Sequence, residues 1–358
     1  MQKICEPESK CFGCGACAFV CPENAIDMCQ DAEGFVRPEV DGSSCIDCGH
    51  CVLVCPAMQS LPSPEVSVYA LRCRDPRLLS ASSSGGAFSL IAARVIENGG
   101  LVCGAVFDET FRVEHVLSDD ISGMRKSKYV QSDLTSCLPK IAQALSKGIP
   151  VLFSGTPCQC HAVKSCFPGE KDLWFAALIC RGVMSPALWD EYRHYLEKEG
   201  PLSDFCFRDK RKDNDAHTVT YTVGGTEHAG VFMQDPFCRI YTRELSLRPS
   251  CYVCPYTAFE KPFDFTIGDF WGVEKTFPDL ADGKGTSLVI AHGRRAEELI
   301  KDLRKEADIR EVTKEQAAQP ALRTPAKETL LRRFLFKDLG RKLPDGHCDI
   351  PLMLKKYG

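Results

Sequence analysis

The sequence predicts a two-part protein of α+β / α/β class, a small cysteine-built domain followed by a larger mixed-sheet domain. Three observations predict it. One cysteine phrase occurs twice within the first sixty residues. The composition changes near residue 60. Beyond that border, short apolar strands alternate with amphipathic helices, the pattern of layered α/β domains. The expected division is a first domain at 1–60, a linker at 61–65, an N-terminal half of the larger domain at 66–180, a C-terminal half at 181–320, and a basic helical tail at 321–358.

The border is one of charge and of cysteine. The chain has 358 residues and 22 cysteines, and residues 1–60 hold ten of them. The same stretch carries nine acids against three bases, whereas the remainder is close to neutral, giving a net charge of −4 overall. Ser60-Leu61-Pro62-Ser63-Pro64 marks the join, because two prolines in three residues favour an extended linker. Met1-Gln2-Lys3-Ile4-Cys5 shows no apolar leader, and no apolar run approaches the roughly 18 residues that span a bilayer. The expected location is therefore cytoplasmic, where thiols stay reduced, and the cysteines read as metal ligands plus buried thiols. The slightly acidic balance gives no sign of nucleic acid.

The repeated phrase is Cys11-x-x-Cys14-x-x-Cys17-x-x-x-Cys21-Pro22, then Cys45-x-x-Cys48-x-x-Cys51-x-x-x-Cys55-Pro56. This is the spacing of bacterial ferredoxins, in which the fourth cysteine of each run ligates the other cluster. Cys11, Cys14, Cys17 and Cys55 are thus expected on one 4Fe–4S cluster, and Cys45, Cys48, Cys51 and Cys21 on a second. Gly13, Gly15 and Gly49 allow the tight wrap. A zinc module or plain buried thiols is the blander alternative. Between the runs, Ala25–Met28 and Phe35–Val40 read as a hairpin around Asp31–Gly34.

In the middle segment, Val66–Leu71 reads as a strand. Ser82-Ser83-Ser84-Gly85-Gly86 opens a helix over Ala87–Glu97, and such a loop either holds an anion or merely caps the helix. Strands are expected at Leu101–Phe107, Arg112–Leu117, Val151–Phe153 and Leu173–Ile179, and a helix at Ser136–Lys147. No dinucleotide or P-loop fingerprint occurs. Lys126-Ser127-Lys128-Tyr129-Val130-Gln131 puts cations beside an aromatic; it neutralises an acidic ligand or is a solvated loop. Gly155-Thr156-Pro157-Cys158-Gln159 and Cys180 stand at strand ends, where ligands collect in α/β sheets. Cys251-x-x-Cys254-Pro255 would complete four thiolates, fit for a third cluster or a structural zinc, with Cys160 and Cys166 as alternative ligands. Gly268-Asp269-Phe270-Trp271-Gly272 follows a further strand. Leu322–Arg341 reads as a basic helix that faces solvent, or docks an acidic partner or this chain's own acidic first domain.

In this order, Ser84-Gly85-Gly86, Lys128-Tyr129-Val130-Gln131, Gly155–Gln159, Cys180-Arg181-Gly182-Val183, Arg248–Pro255 and Ile267–Gly272 resemble the beta subunit family of coenzyme F-420 hydrogenases and dehydrogenases, behind a two-cluster ferredoxin domain. The resemblance covers roughly residues 1–310. It implies a mixed-sheet flavin-binding domain holding FAD beside a third 4Fe–4S cluster on Cys158, Cys180, Cys251 and Cys254. It offers Ser84, Gly85, Gly86, Lys128, Tyr129, Thr156 and Gln159 as flavin contacts. The activity implied is that of an iron–sulfur flavoprotein oxidoreductase, passing electrons between clusters and FAD and on to the deazaflavin F-420 or another small organic substrate. Clusters carry single electrons and a flavin delivers two as hydride, which makes it the natural converter. The expected partner is a ferredoxin or another low-potential carrier. The alternative is an electron-transfer subunit that feeds a partner oxidoreductase. No catalytic residue is legible, and His161, His217 and His228 read as structural.

Overall fold

The computed structural model describes residues 4–59, 62, 64–210 and 217–358. Ser60, Leu61 and Ser63 of the expected linker lie outside the described residues, as do Met1, Gln2 and Lys3.

The cysteine repeat is also a backbone repeat. Gly15 starts helix α1 (Ala16–Phe19) and Gly49 starts α2 (His50–Leu53), both in the left-handed region at φ 74° and 76°. Two residues earlier, Gly13 and Asp47 also have positive φ, a conformation that glycine adopts freely and aspartate better than most. Between the repeats, β1 (Ile26–Gln30) pairs antiparallel with β2 (Val36–Val40). Asp31 closes the turn, its Oδ1 accepting from the amides of Glu33 and Phe35 at 3.0 and 2.9 Å.

The larger part begins with β3 (Val66–Cys73), α3 (Pro76–Ser80), α4 (Ala87–Glu97), β4 (Leu101–Phe107), β5 (Val113–Ser118), α5 (Leu138–Ser146), β6 (Val151–Gly155), α6 (Pro157–Cys166), β7 (Leu173–Leu178) and α7 (Pro186–Glu197). It continues with β8 (Leu202–Asp209), β9 (Thr218–Val223), β10 (Thr226–Val231), α8 (Pro236–Thr242), β11 (Phe265–Asp269), α9 (Val273–Thr276), β12 (Ser287–His292), α10 (Arg294–Leu303), β13 (Ala307–Glu311), α11 (Leu330–Leu339) and α12 (Ile350–Tyr357).

Eight strands form one mixed sheet in the order β13-β3-β12-β11-β7-β6-β4-β5. Its centre, from β11 through β7 and β6 to β4, is parallel, and both flanks are antiparallel. Alternation along β6 shows why both faces are covered. Leu152 packs with α4 and α10 residues such as Ile91 and Ile300. Val151 and Phe153 face the opposite way, against Ile141 of α5 and Val163 of α6. The mixed-sheet class expected from the sequence is thus the class observed.

Two features differ from the expectations. A second, three-stranded antiparallel sheet, β10-β9-β8, was not foreseen. It supports a separate aromatic core in which Trp189, Phe205, Phe207 and Phe237 pack with Leu335 and Met353 from the C-terminal helices. The basic helix is also shorter than expected. Residues 323–329 are not helical, because Pro325 disfavours the helical region at Thr324 and removes a donor.

The Ser82–Gly86 loop is wedged between β3 and the start of β12. A side-chain carbon on Gly85 would lie 2.2 Å from the Leu71 carbonyl oxygen and 2.4 Å from the Ser287 nitrogen. Gly85→Ala is expected to lower unfolding free energy by about 1–3 kcal/mol, read by denaturant unfolding. An unchanged midpoint would show that the loop yields without cost.

Candidate metal centre

Two thiol groups lie in the N-terminal part. Cys17 and Cys55 pack with Cys11 in one buried cluster, and the charges acting on Cys14 are those of Cys17, Cys11 and Cys55. Cys21, Cys45, Cys48 and Cys51 line a separate cavity of about 500 Å³. The fourth cysteine of each run therefore sits with the first three of the other. Backbone donors approach the sulfurs, Gly13 N at 3.4 Å from Cys11 Sγ and Ala25 N at 3.3 Å from Cys21 Sγ. Cys5 is a further buried thiol, with Cys55 and Cys11 as neighbours.

A third group assembles in the larger part. Cys158, Cys180, Cys251 and Cys254 line one cavity of about 630 Å³, measured with its mouth. They arrive from three places. Cys158 is in the first turn of α6, directly after β6. Thr156 caps that turn: its hydroxyl lies 3.2 Å from Cys158 Sγ and 3.0 Å from Gln159 Oε1, which also accepts from the Thr156 amide. This reciprocal box fixes where the helix starts. Cys180 stands two residues past β7. β6 and β7 run parallel in register, Gly155 opposite Ala177, so both chains leave the sheet on the same side. Cys251 and Cys254 flank the end of a short 3-10 turn, Pro249–Val253. Bridges from Val130 to Met184 and from Met184 to Leu247 tie that loop to the strand ends.

Burial, the largest cause, pushes all four thiols up, Cys251 to about 12 and Cys254 to about 11. The neighbouring thiols add to the rise, most clearly at Cys180. Thiolate is the ligand form, so loading this cavity releases protons. Among the described residues no carboxylate and no imidazole lines it. Four soft donors with no carboxylate beside them suit iron–sulfur or zinc chemistry and not a hard cation. Cys160 and Cys166 do not line the cavity. Cys160 Sγ turns instead to the Gly155 carbonyl at 3.7 Å, within the core beneath α6.

The N-terminal part forms one wall of this cavity. Phe12, between Cys11 and Gly13, lines it and packs on Tyr256, with ring centres 5.8 Å apart. Tyr256 OH bonds His161 Nδ1 at 2.6 Å, and His161 Nε2 meets Gln59 Oε1 at 3.3 Å. Burial lowers the His161 pKa to about 4, so its ring is neutral and structural. Farther out, Arg332 of α11 is buried and pairs bidentately with Glu33 in the hairpin turn, Nη1 to Oε1 at 2.8 Å, while Nε and Nη2 hold the Leu247 carbonyl. The basic tail thus docks on the chain's own acidic domain.

The seven flavin candidates fall in separate places. Thr156 and Gln159 lie beside the four cysteines. Ser84 donates to the Thr286 carbonyl at 3.0 Å, and the Gly85 amide donates to Ser287 Oγ at 2.9 Å; Gly86 caps α4 at φ 92°. The loop's donors are spent on β12 because the loop threads into the sheet edge. Lys128 Nζ bonds the carbonyls of Gly123 and Arg125 at 2.7 and 3.0 Å, and burial lowers its pKa to about 8. Tyr129 OH accepts from Arg208 at 3.1 Å, and Arg208 pairs with Asp269 of the Gly268–Gly272 motif at 3.0 Å.

Residues 150–317 match the family described as the C terminus of the coenzyme F-420 hydrogenase/dehydrogenase beta subunit. Residues 10–58 match the 4Fe-4S dicluster domain. These segments carry the C-terminal domain of that beta subunit family and, in front of it, a dicluster domain. No curated protein matches the chain. A xenon-derivatised structure of the F-420-reducing NiFe hydrogenase complex from Methanosarcina barkeri contains a similar chain, at TM-score 0.46 and 16% identity, covering 70% of this chain and 83% of that one. So loose a likeness leaves the fold to stand on the strand order itself. The two family matches place the chain among iron–sulfur electron-transfer proteins of oxidoreductase systems. Among the described residues, no helix is long and apolar enough to cross a membrane.

Sequence reasoning gave no role to Phe12, Tyr256 or Arg248, although all three line the third cavity. The available signal was position: each lies within three residues of a proposed ligand. For the docking contact, Arg332→Met is expected to cost about 2 kcal/mol of unfolding free energy, the scale of charge-assisted bonds to a half-buried partner. It should also speed amide exchange at residues 31–35. Unchanged exchange there would show that Glu33 does not need the tail.

Proposed function

We propose that this protein is an iron–sulfur flavoprotein oxidoreductase. It passes electrons between three 4Fe–4S clusters and FAD, and on to or from the deazaflavin F-420 or another small organic substrate. The observation that carries this reading is the convergence of Cys158, Cys180, Cys251 and Cys254 on one cavity that Phe12 of the first cysteine run also lines. In this reading Cys11, Cys14, Cys17 and Cys55 hold the first cluster, Cys21, Cys45, Cys48 and Cys51 the second, and the four converging cysteines the third.

The dicluster domain in the same chain favours a cluster over zinc at the third position. A tetrahedral zinc draws its thiolates to about 3.8 Å from one another, whereas each thiolate of a cubane binds a different iron. The chain's own contribution is placement and dryness: Phe12 and Tyr256 fill the space between the first and third sites, and Cys48 of the second is exposed, a natural entry for electrons from a ferredoxin or another low-potential carrier.

FAD, when bound, supplies the exchange between single electrons and hydride. The fit of this group is looser than that of the clusters. Thr156 and Gln159 adjoin the third site, but the Ser84 hydroxyl, the Gly85 amide and Lys128 already have internal partners, so a flavin contacting them requires those bonds to be exchanged.

A second reading, an electron-transfer subunit serving a partner oxidoreductase, draws support from α11. Its Leu330 and Phe334 are 70% and 52% exposed, beside a face otherwise engaged with the core.

Anaerobic purification with iron, sulfide and flavin analysis tests the proposal. It requires about twelve irons, four per cluster, and one FAD. Cys251→Ser should lose the third cluster's share and keep the other eight or so. Absence of flavin from a fully iron-loaded protein would overturn the flavoprotein reading and leave the electron-transfer subunit.

A further inference from the structure

Arg248 is among the largest fully buried side chains, at 1% exposure. Its guanidinium spans the junction between the two parts of the molecule. Nε donates to the Cys11 carbonyl at 2.7 Å, Nη2 to the Val36 carbonyl at 2.7 Å, and Nη1 to Gln131 Oε1 at 2.9 Å. The group also lies over the Phe35 ring at 5.4 Å. These are all neutral partners, and among the described residues no carboxylate pairs with it. The other buried or lining cations nearby differ. Arg181 is paired with Glu244, and Lys261, which faces Cys254 and Cys180, has Glu260 close by.

A buried charge without a counter-charge carries a heavy desolvation penalty, so such groups are found beside an anion that the protein places there. Among the described residues, the acidic groups that share the cavity with Arg248 are thiols. It lines the third cavity with Cys158 and Cys251, and its carbonyl accepts from the Cys251 amide at 2.9 Å. Its charge acts on both sulfurs in the sense that favours thiolate. A cubane held by four thiolates is a net anion, and each electron it accepts makes it more negative.

We infer that Arg248 is the buried counter-ion of the third cluster, held in place by the backbone of the first cluster's loop. This rests on the third-cluster reading above. The consequence is a bias in potential. A fixed cation stabilises the reduced, more negative cluster, so Arg248 raises the third cluster's midpoint relative to the same site without it. Because Nε is anchored on Cys11, the N-terminal part must be seated for the cation to be in position. Gly13 shows how closely the parts fit: a side-chain carbon there would lie 2.6 Å from Arg248 Nη1 and 2.8 Å from Gln131 Nε2.

The test is an anaerobic potentiometric titration of the full chain, loaded with clusters and followed by EPR, with Cys251→Ser identifying the third cluster's signal. Arg248→Met should shift that cluster's midpoint to more negative potential. Gln131→Glu should do the same in a side chain of equal size, because its carboxylate neutralises the guanidinium where it stands; it also removes the Nε2 donations to the Phe12 and Gly13 carbonyls, so its unfolding midpoint is measured alongside. Arg248→Lys keeps the charge and should stay near the unaltered midpoint. An unmoved midpoint in fully loaded Gln131→Glu overturns the inference, as does a shift in Arg248→Lys as large as in Arg248→Met. If Arg248→Met fails to fold, Gln131→Glu decides alone. About eight irons in the unaltered protein would instead remove the third cluster itself, an outcome distinct from full loading with an unmoved midpoint.

Discussion

The arrangement depends on the parallel pairing of β6 with β7. Parallel neighbours leave a sheet on the same side, and the loops that follow are forced together. That constraint sets Thr156–Cys158 beside Cys180, with Gly268 and Asp269 of β11 next along the edge. An antiparallel pair would have sent the two cysteines to opposite ends of the sheet. The remaining sulfurs come from a loop with no regular structure beyond one short turn, and two single-residue bridges are enough to fix it. A rigid sheet edge thus carries half of the site, and a tethered loop carries the rest.

The N-terminal part is built into the wall of the third cavity and is more than an appended carrier. Its own two thiol groups need little from the rest of the chain, since the repeated left-handed glycines and short helices shape them locally. Its seating on the larger part is a separate matter, made by Arg248, by Gln131 Nε2 reaching the Phe12 and Gly13 carbonyls, and by the Glu33–Arg332 pair. These contacts are polar and directional, and beside the apolar packing of Phe35 and Phe19 on the larger part they fix an orientation where apolar faces alone would only favour contact. Orientation is what electron transfer between fixed centres requires.

How much of this was legible in the sequence varied with the range of the interaction. The two cysteine runs and their crossing were readable, because the geometry is set by spacings of two and three residues. The helix at Ala87–Glu97 and the strands around it were readable from their periodicity. The sheet of β8 to β10 was not: β10 is polar and exposed along nearly its whole length, so no alternation marks it. The convergence of Cys158, Cys180 and Cys251 needed the resemblance as well as the spacing, since nearly a hundred residues separate the first from the last. Arg248 was illegible as a buried group, because nothing in an arginine's neighbours along the chain announces that a distant backbone will close over it. The internal bonding of the flavin candidates was not legible. Ser84 and Gly85 looked free in sequence, and only the packing shows Thr286 and Ser287 using them.

The contact between Glu33 and Arg332 joins residues 299 positions apart, and the same arginine grips the loop that carries Cys251. It therefore sets an order of assembly. A chain emerging from the ribosome can complete its two N-terminal thiol groups early, from local sequence alone. Part of the wall of the larger cavity comes from Thr324, Pro325 and Ala326, just before α11. The third thiol group thus depends on contacts made late in the sequence, and the first two do not.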